Sequence, residues 1–358
     1  KILHYANGWE HLSDEWTRLD LKLHIRLLMQ HGGDSDGQFD PFKGLVVSEE
    51  EVFRLISRQD QTAHQQEEVT RLVEELDALE RNIESKIVQS DSQGIFLPLE
   101  HLMRTFALNP FERETLMLSL AVEFDRKYEK LFAYLQDDVT NKYPTADLAM
   151  KLICKSTEER RQAFVSLSEH GVLARFFLQR EDNPDRKTSV ISRMLKLDER
   201  IVRYVASPDQ GGADMTGFGR FEPTVDDVPP LLVGTDTQQN IHNFYQYGLA
   251  SKRAHQQRFI YLLRGNEGAG KRLHTRHFCK AFGLPLLLID MSRMLTQKTP
   301  FEALLAKVER EALLYGAVVG FQQIDVLLHE DVSKENMHIF SHYLSQSGPP
   351  VFLMSEKG

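Results

Sequence analysis

Cysteine is nearly absent: the 358 residues hold two, Cys154 and Cys279, far apart and outside any metal-ligand spacing. That excludes a disulfide framework and a cysteine zinc site, and it predicts reduced thiols in a cytoplasmic protein. No apolar run approaches the roughly 20 residues that cross a bilayer, so no membrane-spanning helix and no membrane partner are expected. Positive charge is not in excess either. With 43 Lys and Arg against 52 Asp and Glu, the net charge is −9, and no global field draws the chain to nucleic acid. The fourteen histidines show no His-x-x-x-His pair on a helix-like segment, and His274 and His277 read as surface or packing residues, so no metal site is expected. Neither cysteine has a neighbouring base to make it a nucleophile. Asp137 and Asp138 read as a solvated helix end rather than a catalytic carboxylate pair. The chain opens on Lys1 rather than Met, without a signal-peptide pattern, and stops at Gly358 just after a strand-like run, which reads as a piece of something longer.

What is present divides the chain into several parts, as its length suggests. Residues 1–94 are expected to be helical. Leu12, Trp16, Leu19, Leu23 and Leu27 recur at three and four between Trp9 and Met29, and Val69, Leu72, Leu76, Leu79 and Ile83 do so between Gln61 and Ser90. The second stripe is too short for a free coiled coil and predicts one arm of a helical hairpin. Between the two, a polar loop from Gly32 to Pro41 is followed by a capping-box pattern, Ser48 to Glu51, before Val52, Leu55 and Ile56.

Residues 95–206 predict a compact winged-helix-like domain. Helices are expected at Leu97–Leu108, after Asn109, at Tyr128–Asp138 and at Thr145–Ile153. Asn109, Pro110 and Glu112 supply an N-cap, a first-position proline and an acid at the third position. Val172–Leu178 and Val190–Leu195 read as short strands joined by the turn Glu181 to Arg186, which would be the wing. A winged helix serves DNA binding in some proteins and protein contacts in others; with no basic stripe here, nucleic acid is not the expected partner. Residues 207–230, rich in Gly and Pro, read as a linker.

From residue 231 onward, apolar strand runs alternate with helices: Phe259–Leu263, Leu286–Ile289, Val318–Phe321 and Val351–Met354. This predicts a parallel α/β sheet. The first run leads into Gly265, Asn266, Glu267, Gly268, Ala269, Gly270, Lys271 and Arg272, then into a helix-like segment through Phe278 and Phe282. Glycines so spaced between strand and helix let backbone N–H groups face phosphate oxygens, with the lysine reaching the terminal phosphates: a P-loop. The last position normally carries Ser or Thr as a Mg²⁺ ligand, and here it carries Arg272. After the third run, the place of the acidic pair that assists hydrolysis is taken by Gln322 and Gln323, which neither act as a base nor balance a divalent charge. The expectation is a module that holds ATP or ADP, gives Mg²⁺ a poor seat and lacks catalytic residues.

The region from residue 231 resembles the large subdomain of AAA+ ATPases. Gly265–Lys271 matches Walker A, Gly316 to Leu328 covers a degenerate Walker B strand with its following Asp, and Ser355 falls at a sensor position. Upstream, Asn7 to His11, Arg18 to Leu21, Asp40 to Phe42, Asn109 to Glu114, Tyr134 to Val139 and Leu197 to Val202, with Arg310 to Ala312, are similar to bacterial AAA+ ATPases of extracellular contractile injection systems of the antifeeding-prophage type. That resemblance, nearly end to end, implies a variant winged-helix region, a degenerate first AAA module and an intact second module further along. It also implies a cytoplasmic, ring-forming homo-oligomer, a hexamer by analogy, that acts on the particle proteins. Two other classes stay open: a DNA-binding regulator that senses nucleotide, and a non-catalytic scaffold.

Overall fold

The computed structural model of the protein describes residues 4–31, 62–179, 189–208, 215, 217–232, 234–250, 258–329 and 333–356. The chain forms two compact units, Lys1–Pro208 and Asp209–Gly358. The expected capping box at Ser48, the loop from Gly32 to Pro41 and the turn from Glu181 to Arg186 lie outside the described residues.

In the first unit, helix Gly8–His31 packs along helix Thr62–Ser92. The cluster that joins them is Leu21, Ile25 and Leu28 with Val69, Leu72, Val73 and Leu76, so the second predicted stripe is in the contact and the first helix meets it with residues beside its predicted stripe. Leu12, Leu19 and Leu23 are buried too, and Ile83 and Leu79 lie in a second small cluster with Tyr5 and Leu97. A charged network ties this hairpin to helix Pro110–Phe124. Arg18 pairs with Glu15 at 2.7 Å and Glu80 at 3.3 Å, and also with Glu114 on that helix, while Lys22 bridges Glu80 and Glu114 at 2.8 and 2.9 Å. Residue 94 is therefore no break in the packing. The cap expected at Asn109 is present in full: its side chain accepts from the Glu112 N–H at 3.0 Å, and Glu112 accepts from the Asn109 N–H at 2.9 Å. Helices Pro98–Thr105, Arg126–Leu135, Ala146–Ile153, Thr157–Ser166 and Glu199–Ala206 complete the unit.

The expected wing is different. Leu173–Phe177 is a turn of π-helix, and Val190–Ser192 a turn of 3₁₀-helix. Only isolated antiparallel bridges, Leu178 with Leu197 and Thr145 with Met194, stand among the described residues where a hairpin was predicted. A short unbroken apolar run fits a buried helical turn as well as a strand. Here Phe176 and Phe177 both pack on Phe106, at ring separations of 5.1 and 5.0 Å, which two adjacent residues on a strand, pointing to opposite faces, would not do.

The second unit is a five-stranded sheet in the order β1-β3-β4-β5-β2, with β1 Gly219–Glu222, β2 Ile260–Arg264, β3 Leu286–Asp290, β4 Val318–Gln322 and β5 Val351–Ser355. The four predicted runs pair in parallel. β1 corrects the expectation of an all-parallel sheet, since it adds antiparallel to β3, Phe221 opposite Leu287. Within the expected linker, 207–230, β1 forms and Met215, Phe218 and Val225 are buried in the two cores of the sheet, so that part of it is packed rather than free. Alternate residues of β3 to β5 enter two cores. Leu287, Ile289, Val319, Phe321, Val351 and Leu353 join the helices Phe301–Tyr315 and Lys334–Ser345, and Leu286, Leu288, Val318, Phe352 and Met354 join Tyr261, Phe278 and Cys279. Helix burial on both faces explains why these strands read as continuous apolar runs.

His338 and His342 stand four apart on the exposed side of helix Lys334–Ser345, which corrects the expectation that no His-x-x-x-His pair falls on a helix. Among the described residues, no group of three or more His, Cys, Asp or Glu is placed to hold a metal ion. No helix of the described residues is long and apolar enough to cross a membrane.

Candidate functional site

The carboxyl ends of β2, β3, β4 and β5 lie on one side of the second unit, where ligands enter open parallel sheets. β2 ends at Arg264, and residues 265–270 turn the chain into helix Lys271–Phe282. Gly268 and Gly270 have φ of 82° and 81°, in the left-handed region that only glycine enters cheaply. Nothing lies within 4 Å of a Cβ placed on either, so conformation rather than crowding calls for glycine. The Gly265 N–H donates to the Ser355 carbonyl at 3.2 Å, which ties the loop to the end of β5. Gly270 is the helix N-cap, and no side chain caps the first turn. Its leading N–H groups and the positive end of the helix dipole therefore face the loop.

A cleft of about 480 Å³ lies over this helix end. Loop residues 267–270 line it with Lys271, Arg272, Gln322 and Gln323, so the structure brings together most of the residues singled out in the sequence. Lys271 folds back along the loop, its Nζ donating to the carbonyls of Gly265 and, at 3.0 Å, Asn266. Arg272 is exposed, with no ion pair or hydrogen bond to any described residue. Gln322 ends β4 in register with Asp290 at the end of β3. Gln323 follows with φ of 56° at the start of the 3₁₀ turn Ile324–Leu328.

Gly265, Asn266 and Ser355 do not line the cleft. Ser355 is buried, and its hydroxyl donates to Asp325 Oδ1 at 2.7 Å, while the Glu356 N–H donates to Asp325 Oδ2 at 2.6 Å. The pair thus fixes the turn after β4 to the end of β5 and leaves the Glu356 side chain at the cleft.

Sequence reasoning missed three charged residues of the cleft: Asp290, Arg276 and Glu356. Two of them are already paired. Asp290 caps the next helix through the Arg293 N–H at 3.0 Å and pairs with the Arg293 guanidinium at 3.3 Å. Arg276 lies 3.3 Å from Glu222 on β1 and donates to the Asp227 carbonyl at 3.1 Å. An acid ending an apolar run just before a helix was the available signal for Asp290. Arg276 carried none, because its partner comes from the segment read as a linker.

His274 and His277 pack the helix, as expected. His274 Nδ1 bonds Gln238 Oε1 at 2.7 Å, and burial, then neighbouring His277, lowers its pKa; His277 Nε2 bonds the Pro229 carbonyl at 2.8 Å. Chemically the site offers uncapped N–H groups, Lys271 and the guanidinium of Arg272. At the end of β4 it offers the amides of Gln322 and Gln323, which cannot act as a base.

A family model described as "Winged helix domain, variant" matches residues 1–218, more than half of the chain. No curated protein matches it. Among solved structures, a chain of "Structure of E. coli MS115-1 HORMA:CdnC:Trip13 complex" is similar at 11% identity and a TM-score of 0.29. That alignment covers 41% of this chain and 66% of the other, just under two thirds of its length.

Proposed function

The chain belongs to the variant winged helix domain family through residues 1–218, and from that premise we propose that it is the N-terminal part of a ring-forming AAA+ ATPase whose first nucleotide module binds ATP or ADP without hydrolysing it. One observation carries the nucleotide reading: the glycine loop at the carboxyl end of β2 opens into an uncapped helix, with Lys271 and Arg272 on the same cleft. In this reading the leading N–H groups and Lys271 hold phosphate oxygens. Gln322 and Gln323 orient by hydrogen bonds but take no proton from water, so the bound nucleotide stays intact. Residues 1–206 bind a partner, and turnover belongs to a further module of the complete protein.

The assignment to a contractile injection system, in particle assembly, loading or disassembly, is supported by the short motifs from Asn7 to Val202. The ring is tested by light scattering of the complete protein after size exclusion, with and without ATP. Assembly to a closed oligomer in ATP is expected, and a monomer in both conditions overturns it. Winged-helix membership favours one further reading, a DNA-binding regulator. Anisotropy against duplex DNA separates the two, because binding through phosphates appears at low salt and weakens steeply as salt rises. No binding at low salt is expected.

A further inference from the structure

P-loop sites hold a divalent cation beside the phosphates, and the residues of this cleft do not fit one. Mg²⁺ needs hard oxygen ligands in tight octahedral geometry, usually one or two carboxylates with phosphates and water. The hydroxyl that begins such a set is replaced by Arg272, and the chain places amides, Gln322 and Gln323, at the end of β4. Asp290 lies beside them, but Arg293 engages both of its oxygens, at 3.0 and 3.3 Å. Glu267 and Glu356 are single exposed carboxylates, and no three metal-ligating side chains cluster among the described residues.

The cations of the cleft, Lys271, Arg272 and Arg276, are concentrated on the helix that the loop opens into, apart from the exposed carboxylates of Glu267 and Glu356. Arg276 is neutralised by Glu222, which leaves Lys271 and Arg272 as adjacent full positive charges on an uncapped helix start. Carbonyls hold Lys271 without cancelling its charge. Arg272 is exposed, and its planar fork matches two phosphate oxygens at once, which a lysine or a hydroxyl cannot do. A metal bound to the phosphates would cancel charge that these two residues otherwise engage, and it would stand against a guanidinium.

We propose that Arg272 takes the place of the divalent cation, so that the ligand of this cleft is the metal-free nucleoside di- or triphosphate. The inference rests on the nucleotide reading above and adds to it the charge state of the ligand and the residue that selects it.

The test is fluorescence anisotropy of N-methylanthraniloyl ADP and ATP titrated with the whole chain, once in EDTA and once in excess MgCl₂. Wild type is expected to bind in EDTA at least as tightly as in Mg²⁺. Arg272→Ser, a change on an exposed side chain that restores the usual hydroxyl, is expected to lose about tenfold in EDTA, the scale of one charge-assisted hydrogen bond. It should also bind better when Mg²⁺ is added. Arg272→Lys keeps the charge, loses the fork and is expected to fall between the two. Wild-type binding that requires Mg²⁺, or EDTA binding unchanged in Arg272→Ser, overturns the inference and leaves the nucleotide reading standing. No binding in either buffer overturns the nucleotide reading itself.

Discussion

Gly270 and Lys271 are adjacent and do different work in the cleft. Gly270 holds φ of 81° so that the chain can enter the helix with its first N–H groups free, and a methyl group there would be strained although space is open. Gly270→Ala is expected to cost about 1–2 kcal/mol in urea unfolding and to weaken nucleotide binding, because relief of the strain swings those N–H groups away. The two cysteines make a second residue-scale test. Burial pushes the Cys279 thiol up to about 12 and raises Cys154, so neither forms thiolate at neutral pH. A thiol reagent should leave the native chain unmodified and titrate two groups after denaturation; a fast native reaction would contradict the packing. At this scale the sequence singled out residues 265–272, Gln322 and Gln323, and the fold brings residues 267–272 and the two glutamines to one cleft. The sequence was silent on Asp325 as the partner of Ser355 and on Glu222 as the partner of Arg276, since those pairs exist only once strand order brings them together.

Helices whose apolar stripe and cap are both written locally came out where the pattern put them. Asn109 is the clearest case, and Asn109→Ala is expected to cost about 1 kcal/mol, measured by chemical denaturation. Elements that depend on a distant partner did not. Leu173–Phe177 became helical because Phe106 receives two neighbouring rings, and β1 formed because β3 offers an open edge. The Arg18 network is also non-local, joining three helices. Arg18→Ala should cost about 3–5 kcal/mol in the same assay, since it leaves Glu15 and Glu114 without their main cation. Its pH dependence has a definite sign. Burial alone would raise the Glu15 carboxyl, but hydrogen bonding from His11 and the charge and hydrogen bond of Arg18 hold it at about 2 against an ordinary 4.5. His11 stands 3.8 Å away, long for a hydrogen bond, so Arg18 at 2.7 Å is the stronger partner. A lowered carboxyl stabilises the fold fully above its unfolded value, and the contribution is lost as pH falls from 4.5 towards 2. Urea midpoints should drop through that window less steeply in Glu15→Gln than in wild type.

For the whole molecule, the family match covers residues 1–218 and the cleft lies in the unit Asp209–Gly358; the proposed function gives the first a partner and the second a nucleotide. A net charge of −9 gives the chain no global positive field to draw it to DNA. The proposed function requires the α/β module to bind nucleotide and to keep it intact. The most direct measurement incubates the chain with γ-labelled ATP, separates protein from free nucleotide and chromatographs the label in both fractions. Retained, intact ATP on the wild type, absent from Lys271→Ala, is the predicted result. Label released as free phosphate at about one turnover per second, and abolished in Lys271→Ala, would contradict it, as would no retained label at all.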